Sequence, residues 1–115
     1  MAEKSAKNVL EPYAWLLQII TGLAMVGLVT FHFLTTHMVE HALSFESVSL
    51  RFQDYGYKII YALLLIFVAF HAFNGLRAIA LDTEFGMKRK KLVNWSMVVV
   101  FLAALIVGLY IMFLF

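Results

Sequence analysis

The sequence is 115 residues long, and its composition is far more apolar than that of a soluble domain: 63% of the residues are hydrophobic and 14% are charged. Charged residues alone make up about a quarter of an ordinary globular domain. The chain contains no cysteine, which excludes disulfides, thiolate metal sites and cysteine nucleophiles. The net charge of +2 comes without a polar region that could carry a basic patch, which argues against nucleic-acid binding.

The N-terminal segment, "MAEKSAKNVLEP", is polar. It lacks the apolar core of a signal peptide. We therefore predict a short lead on the inner side of a membrane. Pro12 is expected in the first turn of the helix that follows, where its missing N–H does no harm.

Three long apolar runs follow, Ala14 to Met38, Tyr57 to Leu81 and Leu92 to Phe115. Each exceeds the roughly 20 residues that a helix needs to cross a bilayer. A very apolar soluble bundle is the alternative, but its helices would keep a polar face, and "MVVVFLAALIVGLYIMFLF" has none. The runs predict an all-α membrane protein with three transmembrane helices, in a single domain spanning 1–115.

The two connections have different characters. The first, Val39 to Gly56, contains Ser44 as a candidate cap for a short helix. Val48, Leu50 and Phe52 of that helix are expected to enter the membrane interface. The second connection, "TEFGMKRKK", is predicted to be a turn.

The basic residues predict the orientation of the chain. The second connection carries Lys88 to Lys91, and the N-terminal segment carries Lys4 and Lys7. The first connection together with the start of the following run has two basic residues against three acidic ones: Arg51 and Lys58 against Glu40, Glu46 and Asp54. The positive-inside rule then places the N-terminus and the "MKRKK" loop in the cytoplasm and the C-terminus outside, in a multi-pass protein of the cytoplasmic (inner) membrane.

The second apolar run contains polar residues that share one helix face. His71, Gly75, Ala78 and Asp82 align at helical spacing, with Asn74 beside them. After the histidine, the side chains on this face are small, and the face ends in the Asp82 carboxylate. Small residues admit close approach by another helix or by a flat cofactor, so Gly75 is a candidate for cofactor contact.

The first run has a comparable stripe. Its members are Gln18, Thr21, Met25, His32 and Thr36, with Gly22 alongside. His37 is turned to a different face near the outer interface, and His41 falls in the connection. Histidines at that depth are typically solvated at the headgroups.

Each of these polar residues has two interpretations. An intramembrane histidine such as His71 is either a cofactor ligand or a residue that hydrogen-bonds two helices. Arg77 either contacts lipid phosphate or pairs with a buried anion, and Asp82 could be a solvated helix end.

The heights of the two spanning histidines limit what they can bind. With a rise of 1.5 Å per residue, His32 and His71 are expected to lie roughly 12 Å apart along the membrane normal. They cannot ligate one iron together, so each needs a partner histidine from elsewhere. The arrangement suits two stacked bis-histidine haems between this chain and another, which carry electrons and leave no position open for oxygen.

Two segments resemble a known family. "FHAFNGLRAIALD" resembles the H-x-x-N-G-[LI]-R-x-x-x-x-D stretch in membrane anchors of succinate dehydrogenase. "WLLQIITGLAMVGLVTFHFLTTHMVEHA" resembles their first helix, W-L-x-x-R-[IV]-[ST]-G followed by a histidine. The "FHF…H…HA" ending is most similar to the subunit-D type of archaeal and related bacterial complexes.

The resemblance implies half of a heterodimeric helical anchor. A sister membrane anchor would complete it, and an iron–sulfur subunit and a flavoprotein would sit on its inner face. It implies that His71 is an axial ligand of an inner haem b and His32 of an outer one. Asp82 would lie near the quinone, and Arg77 and Thr21 would neighbour a haem propionate or the quinone.

Two positions depart from the family pattern. Ile19 stands where the first motif has arginine, and Thr83 follows the closing aspartate where quinone-contacting tyrosine is often found. Thr83 stays a quinone-proximal candidate, and His37 is the alternative ligand on the first helix. The departures suggest that partner subunits supply most of the quinone pocket.

The resulting hypothesis is a haem b-binding, iron-binding anchor subunit of succinate dehydrogenase (complex II of the tricarboxylic acid cycle). It supports electron transport to quinone and performs no succinate chemistry itself, so no catalytic residue is expected. The alternatives are a fumarate reductase anchor, a small multidrug-type transporter, or a cofactor-free structural membrane subunit.

Overall fold

The computed structural model describes residues 2–114, with side chains from residue 11 onward. The described chain is helical, without strands, and extends over 56 × 25 × 23 Å. Its five helices are α1 (Ala2–Thr36), α2 (Phe45–Gln53), α3 (Tyr55–Leu81), α4 (Glu84–Lys88) and α5 (Lys90–Leu114). The prediction of an all-α protein is confirmed.

Three helices are long and apolar enough to cross a membrane: Glu11–Thr36 within α1, Tyr55–Leu81 and Lys90–Leu114. Their apolar side chains point mostly outward, as Leu23 does at 70% exposure. In water this surface would be highly unfavourable, whereas lipid or a neighbouring helix accommodates it. The prediction of three membrane spans is confirmed. The direction in which they cross stays a prediction.

The helix ends differ from the predicted ones. α1 begins at Ala2, because Ala, Glu and Lys in "AEKSAK" favour helix, so Pro12 lies inside the helix and not in its first turn. α1 ends at Thr36, two residues before the predicted end. The following turn includes His41 in a left-handed conformation, with φ of 60°. The second connection is more than a turn, because it contains α4.

Short polar side chains begin the helices after each connection. Ser44 accepts a hydrogen bond from the Ser47 N–H at 3.2 Å, as predicted for the start of α2. The same device starts α3 and α4, where Asp54 accepts from Tyr57 N–H at 3.1 Å and Thr83 accepts from Gly86 N–H at 3.0 Å. Such caps satisfy backbone donors that have no partner within the helix.

α3 is the central helix and packs against both α1 and α5. On the α5 side, Gly108 admits the side chain of Leu65: a Cβ at Gly108 would lie 2.5 Å from Leu65 Cδ2. Phe70 and Phe101 meet edge to face there, with centroids 6.2 Å apart. On the α1 side the contact is polar, and it contains the candidate site.

Candidate functional site

His71 is held against α1 through its Nδ1 atom. That atom lies 3.1 Å from the Gln18 carbonyl oxygen and 3.3 Å from Thr21 Oγ1. A carbonyl can only accept, so Nδ1 carries the proton. The Thr21 hydroxyl donates its own hydrogen to the Leu17 carbonyl at 2.7 Å and can therefore accept from His71. In a neutral imidazole with this tautomer, Nε2 is the nitrogen with a free lone pair, and neutral imidazole is the form that binds metals.

Gly22 makes room for this imidazole. A Cβ at Gly22 would lie 3.1 Å from His71 Cε1 and 3.5 Å from Nδ1. Thr21, one residue earlier, is only 4% exposed. The ring therefore packs on a small and buried part of α1, which limits its rotation.

Gln18 connects α1 to α3 by several hydrogen bonds. Its Nε2 donates to the His71 carbonyl at 3.0 Å, and its Oε1 accepts from Asn74 Nδ2 at 2.9 Å. Gly75 permits the first bond, since a Cβ there would lie 3.0 Å from Gln18 Nε2. The space that the sequence indicated at Gly75 is thus occupied by the side chain of Gln18 of the same chain.

Arg77 extends the network to α5. Its Nε donates to Asn94 Oδ1 at 2.7 Å, and Nη1 lies 3.4 Å from Asn74 Oδ1. Nη2 forms an ion pair with Glu11 of α1. The Arg77 side chain is 18% exposed, and its charge is balanced within this chain. The partner of Arg77 in this chain is thus the Glu11 carboxylate, which is itself 54% exposed and is not a buried anion.

Asp82 and Thr83 lie at the turn from α3 to α4. Asp82 ends α3, and its N–H is 3.2 Å from the Ala78 carbonyl oxygen. Thr83 donates to the Ala80 carbonyl at 2.6 Å while it caps α4. Both residues are exposed, eleven and twelve positions after His71, which corresponds to roughly 16–18 Å along the helix.

His32 lies in a second environment, far from His71. The His71 ring packs beside Thr21 and Gly22, which precede His32 by ten or eleven residues, roughly 15 Å of helix. This separation agrees in order of magnitude with the roughly 12 Å expected from the sequence. One iron cannot bridge the two rings.

Aromatic rings surround His32. It meets His37 and Tyr61 edge-on, with centroids 5.8 Å and 5.6 Å away. His37 is exposed and stacks on Phe33 at 5.6 Å, and His41 is exposed beside Glu40. Among the described residues no group of three or more histidines, cysteines, aspartates or glutamates could hold a metal ion by itself.

An apolar cavity of about 610 Å³ opens between α1, α2, α3 and α5. Residues from all four helices line it, among them His32, Thr36, Arg51, Phe52, Tyr61 and Met112. Three residues of its lining each bury a polar atom that has no hydrogen-bond partner within the described part of the chain: His32 Nδ1, Thr36 Oγ1 and Arg51 Nε.

A second cavity, about 300 Å³, lies between α3 and α5. Asn74 and Arg77 of the polar network form part of its wall, with aromatic rings such as Phe73 and Phe101. It is apolar elsewhere. This cavity and the polar network thus share Asn74 and Arg77.

Several of these residues were not predicted as site residues. Gln18 was on the predicted stripe, and its spacing from Thr21 was the available signal. Arg51 shares a helix face with Val48 and Phe52, both of which line the large cavity. The partners Glu11 and Asn94 carried no comparable signal in the sequence.

These features define a multi-pass helical membrane protein with one histidine fixed between two spanning helices and another at an apolar cavity. Residues 4–111 match the family described as the succinate dehydrogenase/fumarate reductase transmembrane subunit. The chain is also 54% identical over 111 residues to a succinate dehydrogenase hydrophobic membrane anchor subunit of Archaeoglobus fulgidus. The matched region covers 96% of this chain and 95% of that relative. The chain belongs to the succinate dehydrogenase/fumarate reductase transmembrane subunit family.

Family membership confirms the resemblance seen in the two motifs and the general assignment as a membrane anchor of this enzyme complex. It favours the anchor over the transporter alternative. Partnership with other subunits of the complex and with the membrane follows from the family.

Proposed function

We propose that this chain is a haem b-binding anchor subunit of a succinate:quinone oxidoreductase, and that His71 provides one axial ligand to the inner haem. The observation that carries the proposal is the state of the His71 ring. Its Nδ1 faces the Gln18 carbonyl and Thr21 Oγ1, so the neutral imidazole would present the lone pair of Nε2. Histidines that ligate metals commonly donate the other ring N–H in this way, which fixes their orientation and raises their basicity.

The residues around His71 also fit such a group. Gly22 and Gly75 allow α1 and α3 to pack closely here, since a Cβ at Gly22 would crowd His71 and a Cβ at Gly75 would crowd Gln18. Arg77 and Glu11 balance each other's charge at the inner end. A haem b held there would supply one-electron transfer. The second histidine must come from another chain, because His32 is too far away.

His32 is proposed as the ligand of an outer haem. The 610 Å³ cavity in whose wall it lies falls within the usual range for binding pockets, about 300–1,000 Å³. Its lining is apolar apart from a few polar atoms, and such lining suits a flat, largely apolar macrocycle. His37 is the alternative ligand, but its exposed ring stacks on Phe33 outside this cavity.

The chain itself would perform no succinate chemistry. A flavoprotein and an iron–sulfur subunit would carry that chemistry at the inner face, and a sister membrane anchor would complete the haem sites. Quinone would be reduced near the inner membrane surface, with Asp82 and Thr83 exposed at that level. Anchors for catalysis in the fumarate direction belong to the same family, and the 54% identical relative favours succinate oxidation.

Substitution of each histidine tests the proposal in the complete membrane complex. His71→Leu should remove one b-type haem signal from the reduced-minus-oxidised spectrum, and His32→Leu should remove the other. His41→Leu is the matched control, because His41 is exposed and lines neither of the two cavities described above; it should retain both. Size-exclusion chromatography establishes that each variant still assembles with its partner subunits.

Two results would contradict the assignments. An unchanged spectrum in an assembled His71→Leu complex would exclude His71 as a ligand. A single haem in the unmutated complex, retained in His32→Leu, would assign His32 a structural role at its cavity.

A further inference from the structure

Gln18 and His71 hold each other through two contacts that run in opposite directions between α1 and α3. The Gln18 backbone carbonyl oxygen lies 3.1 Å from His71 Nδ1, and the Gln18 side-chain Nε2 donates to the His71 backbone carbonyl at 3.0 Å. The main chain of each residue is therefore bonded to the side chain of the other. A single bond would leave a pivot about which one helix can turn, whereas the pair restricts that rotation at the level of the imidazole.

The Gln18 amide has only one orientation that satisfies its neighbours. The His71 and Ala14 carbonyls can only accept hydrogen bonds, and the Arg77 guanidinium can only donate. Asn74 Nδ2 donates to the Ala14 carbonyl at 3.2 Å and to Gln18 Oε1 at 2.9 Å. Asn74 Oδ1 lies 3.4 Å from Arg77 Nη1. A flip of either amide would set donor against donor or acceptor against acceptor, so Asn74 keeps Gln18 Nε2 directed at His71.

The Gln18 side chain bonds across the interface, unlike the hydroxyls of Thr30 and Thr35, which donate to carbonyls of α1 itself. Gln18 donates to α3 and accepts from α3. Gly75 provides the space, since a Cβ there would lie 3.0 Å from Gln18 Nε2. Polar side chains within a bilayer are unfavourable unless they are paired, and they commonly mark a functional position. The pairing of Gln18 is directed at the residue that carries the proposed ligand.

We propose that Gln18 is a positioning residue, whose side chain sets the plane of the His71 imidazole and so the direction in which Nε2 faces the inner haem. The inference rests on the proposed ligation by His71. The ring plane contains the Nδ1–H direction, so a bond from Nδ1 to the Gln18 carbonyl fixes the rotation of the ring. That carbonyl keeps its place relative to α3 while the Gln18 amide is bonded to the His71 main chain. Groups behind a metal ligand orient it in this way.

The test compares Gln18→Met with Thr30→Val in the complete complex. Methionine keeps the length of the side chain and removes both of its hydrogen bonds. The inner haem should be retained about tenfold less tightly. Its largest g value in electron paramagnetic resonance should also shift, because this value depends on the angle between the planes of the two axial imidazoles. Thr30→Val is the matched control, since Thr30 is exposed and its hydroxyl donates within α1; it should leave both quantities unchanged.

Asn74→Leu provides a second variant if Gln18→Met does not assemble. It leaves Gln18 in place but removes the partner of Oε1, so the amide can turn away from His71. The g value should shift in the same direction as in Gln18→Met, by a smaller amount.

Two results would overturn the proposal. One is a haem affinity and g value in Gln18→Met, or in Asn74→Leu, that equal those of Thr30→Val. The other is a loss of haem without any shift in the g value of the haem that remains, which is the result expected if Gln18 only stabilises the helix pair. His71→Leu separates this failure from that of the ligation. If His71→Leu keeps the inner haem signal, the proposed ligand itself is wrong.

Discussion

Replacing Gly22 by alanine adds one methyl group directly against the edge of His71. The new Cβ would lie 3.1 Å from His71 Cε1, whereas carbon atoms pack best at about 3.5–4.0 Å. The imidazole must therefore retreat by about 0.4–0.9 Å. It cannot do so freely, because Nδ1 is bonded to the Gln18 carbonyl and to Thr21 Oγ1. The substitution should strain the packing and hydrogen bonds of the His71 ring without removing any polar group.

The magnitude follows from two opposing effects. Overpacking by one methyl group typically costs about 1–3 kcal/mol. Alanine is better than glycine inside a helix by roughly 0.5–1 kcal/mol, which hides part of that cost. Gly27→Ala has the gain in helix propensity without the overpacking, since a Cβ at Gly27 would have no atom within 4 Å. The difference between the two variants therefore leaves only the cost of overpacking. Gly22→Ala should therefore be less stable than Gly27→Ala by about 1–3 kcal/mol.

The assay compares both variants in the complete complex. The free energy of unfolding is measured in mixed detergent and SDS micelles, and haem occupancy is measured from the b-type absorption per assembled complex. Gly22→Ala should lose stability and inner haem, whereas Gly27→Ala should match the unmutated complex. If the two variants are equally stable and retain equal haem, the His71 ring does not pack on Gly22 as described, and the reasoning is refuted.

Two further substitutions probe the remaining contacts. Gly108→Ala places a Cβ 2.5 Å from Leu65 Cδ2 and should lower the free energy of unfolding by about 1–3 kcal/mol; adding Leu65→Ala should relieve the clash, and a double-mutant cycle without coupling would contradict that packing. Thr21→Val removes one of the two acceptors for His71 Nδ1 while keeping the side-chain volume. It should weaken haem retention up to about tenfold, the low end for a group behind a metal ligand, because the Gln18 carbonyl still accepts. Thr21→Ser keeps the hydroxyl and should behave like the unmutated chain, and equal haem retention in both Thr21 variants would exclude this role.

Much of the architecture could be predicted from local sequence. The three apolar runs predicted three spanning helices, which the structure contains. Ser44 predicted the start of α2, because a cap acts within one turn of its own helix. The helix ends were less predictable. α1 extends past Pro12 to Ala2, since the favourable helix propensity of "AEKSAK" outweighs the preference of proline for a first turn.

The candidate site was predictable in part. Helical spacing placed His71 and Gly75 on one face of α3 and Thr21 on one face of α1. They did not show that Gln18 would occupy the space at Gly75. Likewise, Arg51 was assigned only to a connection, and its approach to the cavity depends on how α2 lies across the ends of the spanning helices.

The sequence by itself determined that the chain spans the membrane three times, as a helical protein, with histidines at two depths. The reason is local: in lipid every backbone N–H and C=O must be satisfied within its own helix, so an apolar run of sufficient length is enough. Only the tertiary structure decided that Gln18, Thr21 and Gly22 meet His71, that Glu11 pairs with Arg77, and that Arg51 faces the cavity of His32. Those pairings depend on the rotation and offset of one helix against the next, which side-chain packing sets over the whole interface.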